Sequence, residues 1–133
     1  MKRHAALQQL SRDHHKALKL ARQACFASDS GHAIAIAEAA QTINALFPEL
    51  LEEHFRTEES SLLPALDAAG GGELVQQILA QHAELRALNQ QLETPDGGTL
   101  ARFGKLLNDH VRFEEREVFE TAQALLYPES PAA

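Results

Sequence analysis

Two stretches of this sequence carry the same set of reactive side chains: HFRTEES at 54–60 and HVRFEER at 110–116. Each places a glutamate four residues after a histidine, His54 with Glu58 and His110 with Glu114. In a helix those positions lie one turn apart on one face, so each pair aims an imidazole and a carboxylate the same way. Two further histidines, His14 and His82, stand in phase with apolar residues. Imidazole and carboxylate together suit iron, manganese or zinc, whereas an all-oxygen set suits calcium or magnesium. One such pair alone is ordinarily a surface contact worth a few tenths of a kcal/mol. Two pairs in apolar seams are a different matter, because isolated carboxylates in a core are costly unless something pairs them.

Elements that position these groups are delimited by turn residues. SDSGH (28–32), DAAGGGE (67–73) and TPDGGT (94–99) interrupt segments whose apolar residues recur at three and four. The pattern predicts helices near 4–27, 32–66, 72–93 and 99–126, with Thr99 as an N-cap and a kink near Pro48. Short connections between long helices predict an all-α chain, an antiparallel up-down-up-down four-helix bundle, as one domain over 1–133.

Traced along each helix, the apolar seam is broken by histidine. It runs Leu7, Leu10, His14, then Ala17 or Leu18, in the first helix, where His15 is turned about 100° away. It runs Phe47, Leu50, His54, Glu58, Leu62, Ala65 in the second, and Val75, Ile78, His82, Leu85 in the third. In the fourth it runs Phe103, Leu107, His110, Glu114, Val118. At about 1.5 Å per residue, His82 and His110 each stand roughly 17 Å from the turn between their helices. His54/Glu58 and His82 each stand about 15 Å from theirs. The first pair fits less well: His54 lies roughly 33 Å from its turn and His14 about 20 Å, and a bend or overhang at Pro48 would absorb the difference.

Converging at one level, the six groups could hold two cations. Each half of the chain offers one lone histidine and one H-x3-E pair, and Glu58 and Glu114 could bridge, a carboxylate having two oxygens. Glu59 and Glu115 fall off the seam and read as outer or solvated groups, His4 and His32 as surface residues, and Cys25 as a small core residue.

Composition bounds the remainder. The chain has 133 residues, 44% of them hydrophobic, enough for one domain with a core. A net charge of -7, with no basic run, argues against nucleic acid and anionic membranes as partners. One cysteine excludes an internal disulfide, and no apolar run is long enough to span a bilayer, so the expectation is a cytoplasmic protein.

Together, DHH, HFRTEE, QHAEL and HVRFEE resemble the hemerythrin-like domains and their H…HxxxE…H…HxxxE cation-binding signature, from about His14 to Glu115. The resemblance implies an oxo- or hydroxo-bridged di-iron centre in a four-helix bundle, with two iron ions per chain (zinc and manganese being alternatives). It implies metal-ligand roles for His14, His54, Glu58, His82, His110 and Glu114. It implies dioxygen, nitric oxide or iron itself as the small ligand. The oxygen carriers have a second histidine one turn after that of the third helix. Here that position is Arg86, which cannot ligate, so sensing or iron handling stands level with reversible oxygen carriage. Two other classes remain open: an oxidase- or peroxidase-type di-iron enzyme, and a metal-free helical interaction module. Ferritin-like enzymes use E-x-x-H, the reverse order. The apolar stretch at 33–47 suits a contact surface for a homodimer or signalling partner, and packing inside the monomer explains it almost as well.

Overall fold

The structure is a computed structural model and describes residues 3–128. Among those residues every regular element is helical. Four helices succeed one another: α1 (Ala5–Ser30), α2 (33–68), α3 (Gly72–Gln91) and α4 (97–126).

Their ends are set by the turn chemistry. His4 caps α1, its Nδ1 accepting from the Ala6 amide at 3.0 Å. Gly31 closes α1 in the left-handed region (φ 68), which a residue without Cβ reaches at no steric cost. At α4 the cap is Asp96 and not Thr99: the Asp96 carboxylate accepts from the Thr99 amide at 2.8 Å and from its hydroxyl at 2.9 Å. A carboxylate is an acceptor alone, so it takes both donors at once.

The helices run up-down-up-down. Ser28, in the last turn of α1, donates to the Gly97 carbonyl at the start of α4, and the His4 amide donates to Gln123 near the end of α4. Asn44 in the first half of α2 donates to the Asn89 carbonyl near the end of α3. α1 and α4 are in close contact at Gly104, where a Cβ would stand 2.6 Å from Cys25 Sγ and 2.9 Å from the Ala21 carbonyl oxygen.

α2 and α4 are not uniformly α. Pro48–Glu52, Glu58–Leu62 and Glu114–Val118 are π turns. Pro48 itself keeps helical dihedrals (φ -58, ψ -46), and the turn it opens closes with Glu53 N–H on the Pro48 carbonyl. The other two begin at the glutamates of the H-x3-E pairs, and the bonds run from Leu63 N–H to Glu58 and from Phe119 N–H to Glu114. An i→i+5 turn holds one residue more than an α turn, so it re-phases the rest of the helix. Leu62 stays buried, and the seam of α2 then runs on through Leu63 and Leu66. Ala65, expected inside, is exposed, and Leu66 is buried in its place. Likewise in α4 Val118 stays buried, and the seam runs on through Phe119 and Ala122.

Two apolar clusters fill the interior. One gathers Ala21, Ala24, Ile43, Phe47, Leu88, Leu100 and Phe103, and the other Leu7, Leu10, Leu66, Ile78, Phe119 and Ala122. His14, His54, Glu58, His82, His110 and Glu114 fall between these clusters along the chain, so apolar layers close off both ends of the polar one. No helix among the described residues is long and apolar enough to cross a membrane.

Candidate metal centre

All six residues singled out by their spacing meet at one level of the bundle, and all six are buried. His14 turns inward and His15 outward. Donor atoms of His14, His54, Glu58 and Glu114 lie within 4.8 Å of one another. So do those of Glu58, His82, His110 and Glu114. The two glutamates belong to both groups, and each histidine pair belongs to one.

Each of the four buried histidines aims Nε2 at the centre. His14 Nε2 lies 2.8 Å from Glu114 Oε1, and His82 Nε2 lies 3.1 Å from Glu58 Oε1. His54 and His110 each hold Nε2 at 3.5 Å from the glutamate one turn on. Four atoms at this centre, His54 Nε2, Glu58 Oε2, His110 Nε2 and Glu114 Oε2, are buried and find no hydrogen-bond partner among the described residues. Buried polar atoms are almost always paired, and these four converge. A nitrogen-and-oxygen donor set that shares two carboxylates fits a pair of divalent cations.

The outward nitrogens are held as firmly. His54 Nδ1 donates to Asp13 Oδ2 at 3.0 Å and His82 Nδ1 to Glu59 Oε2 at 2.7 Å. His110 Nδ1 donates to Gln81 Oε1 at 2.6 Å and His14 Nδ1 to Glu115 Oε2 at 2.6 Å. The braces form a ring, α1 to α2, α2 to α3, α3 to α4, and α4 back to α1. A brace of this kind fixes which nitrogen carries the proton and leaves the other lone pair for a metal.

Outside the ring the lone histidines have matched supports. His82 stacks on Phe55 at 3.9 Å, the Arg86 guanidinium lies 5.4 Å from the Phe55 ring centre, and Arg86 Nη1 grips Glu59 at 2.9 Å. His14 stacks on Phe119 at 5.2 Å, Arg3 lies 5.7 Å from that ring centre, and Arg3 Nη2 grips Glu115 at 3.2 Å. Arg86, which stands where the oxygen carriers have a histidine, thus fastens a brace. Glu59 and Glu115 are these braces, the outer role their positions suggested.

Protonation is set by the packing. Burial pushes Glu58 up to about 7, and the charge of Glu114 adds to the effect. Burial opposes ionisation of Glu114 too, but the surrounding histidines and its hydrogen bond with Glu58 hold it well below the usual carboxylate range. Burial lowers His14, yet its hydrogen bonds to Glu114 and Glu115 outweigh that and raise it to about 9. His54 rises to about 11 by the same balance, with Glu114 and Glu58 as partners. His110 falls to about 4, burial being the main cause. Protons thus gather where cations would sit, and a cation must displace them.

Sequence reading did not find Asp13 and Gln81. Each immediately precedes a lone histidine (D-H at 13–14, Q-H at 81–82), and that repeat is the signal that would have found them. Arg3 and Ser11, whose hydroxyl donates to Glu115 at 2.8 Å, left no such signal.

A bundle with histidine and carboxylate donors converging from all four helices defines a cation-binding helical domain. A family model described as hemerythrin HHE cation binding domain matches residues 5–122, and the chain belongs to that family. No curated protein and no solved structure matches.

Proposed function

We propose that this chain is a non-haem di-iron protein whose buried centre binds a diatomic gas, dioxygen or nitric oxide, or handles iron. The observation that carries the reading is the convergence of four Nε2 atoms and two shared carboxylates, with all four Nδ1 atoms braced. His14 and His54 would hold one metal and His82 and His110 the other, with Glu58 and Glu114 between them. Iron at this donor set supplies redox chemistry and an affinity for small gases. Both apolar layers keep bulk water from it.

Cavity size favours a small ligand. A void of about 10 Å³ adjoins the centre, lined by Ala17, Leu51, Phe55 and Val111 beside His54 and His110. That is about the room of one water-sized molecule. Asp13 and Leu50 line both this void and a surface groove of about 580 Å³ between α1 and α2, so these two side chains stand between the void and solvent.

Elemental analysis of protein produced with iron supplied and purified without a metal-affinity tag tests the reading. About two irons per chain, with optical bands that change on exposure to oxygen or nitric oxide, are expected. Stoichiometric zinc or manganese would keep the site and remove the gas chemistry. A folded chain that takes up no metal would leave a plain helical bundle.

A further inference from the structure

Inward-facing donors are matched between the two halves of the centre: two histidines each, and two glutamates shared. The braces behind them are not. His14 leans on Glu115 and His54 on Asp13, two carboxylates. His82 leans on Glu59, a carboxylate, but His110 leans on the neutral amide of Gln81. Arginine does not cancel the difference, because one falls on each half, Arg3 on Glu115 through one bond and Arg86 on Glu59 through two. Among the described residues Asp13 has no such partner: it accepts from Gln9 Nε2 at 3.0 Å and borders the solvent groove.

We infer that the two cation positions are unequal and that Asp13 and Gln81 make them so: the position at His14 and His54 holds its divalent cation more tightly than the one at His82 and His110. This rests on the two-metal reading above. A carboxylate accepting from Nδ1–H draws the proton outward and makes Nε2 the stronger donor to a cation. It also places a second negative charge close to the cation. An amide does the first weakly and the second not at all. Asp13 and Gln81 are positioning residues, acting through His54 and His110.

Partial stripping tests this. Protein loaded anaerobically with two iron(II) ions per chain is dialysed against a graded series of chelator activities, and the iron remaining is counted. Loss in two steps, at chelator activities about tenfold or more apart, is expected, since outer-shell partners typically shift metal affinity 10- to 100-fold. Asp13→Asn should weaken the tight step and merge the two. Gln81→Glu should strengthen the weak step, a gain that damage to the fold cannot produce. Simultaneous loss of both irons in the parent chain overturns the inference. So does a weak step moved by Asp13→Asn, or a tight step moved by Gln81→Glu. A chain that holds one iron, released more easily in Asp13→Asn and unchanged in Gln81→Glu, ends the two-metal reading and keeps the ranking. A chain that holds none ends both.

Discussion

Replacing Glu58 by glutamine separates the roles of the inner and outer carboxylates. Glu58 is fully buried, and its Oε1 lies 3.1 Å from His82 Nε2 and 3.5 Å from His54 Nε2, so it faces both halves of the centre. Glu58→Gln removes a unit charge from that point and leaves an amide that donates where an acceptor is needed. Breaking a buried charged set at one partner costs about 3–5 kcal/mol. At about 1.4 kcal/mol per decade that is a loss of roughly 100-fold to several thousand-fold in iron affinity. Glu59→Gln keeps an acceptor for His82 Nδ1 and alters only the brace, so its loss should be about 10- to 100-fold. Glu93→Gln changes an exposed residue in the turn before α4 and should leave affinity within about twofold. Iron retained per chain across a chelator series ranks the three, with circular dichroism checking that each remains helical. Equal retention by Glu58→Gln and Glu93→Gln, or a larger loss in Glu59→Gln than in Glu58→Gln, would refute the assignment of Glu58 to the centre.

Stripping the metal should lower the melting temperature by about 10 °C when free metal stands at about 100 times its dissociation constant, since that linkage is worth about 2.7 kcal/mol. Identical melting curves with and without chelator would count against a bound metal. For the metal-free chain, His14 rises from an ordinary 6.5 to about 9, so its contribution to stability is whole below 6.5 and is lost as pH climbs through about 9. Urea midpoints at about pH 6, 7.5 and 9 should fall in that order, while iron retention should fall in the opposite direction, on acidification, because protons compete for the same atoms. Gly104→Ala should destabilise by about 1–2 kcal/mol despite the better helix propensity of alanine, because the new methyl meets Cys25 Sγ and the Ala21 carbonyl. Thermal unfolding at equal metal content reads it, and a more stable variant would mean that α1 and α4 part easily.

Much of this architecture was legible because polar groups in an apolar seam are conspicuous. His14, His54, Glu58, His82, His110 and Glu114 are the only breaks in otherwise apolar stripes, and i+4 spacing puts them on the inward face. Height matching failed only for the first pair. There α1 runs on to Ser30, past the expected 27, and the π turn at Pro48–Glu52 winds an extra residue into α2, which together recover about half of the difference. The re-phasing after Glu58 and Glu114 was not legible, since an i→i+5 turn has no periodicity of its own and simply moves the stripe, from Ala65 to Leu66. Nor were Asp13 and Gln81. A residue one step from the seam looks solvated in a pattern of period 3.6, and only the packing of a neighbouring helix turns it into a brace.

The ring of braces also decides how the centre tolerates damage. Each helix contributes one histidine to the cavity and one acceptor to the histidine of the next helix. Losing α1, for example, takes away His14 and also the support behind His54, so a single missing helix disables two of the four imidazoles. A cyclic arrangement has no terminal member that can be spared. The smallest working unit is the whole circle, and a three-helix fragment should have no reduced version of this centre to fall back on.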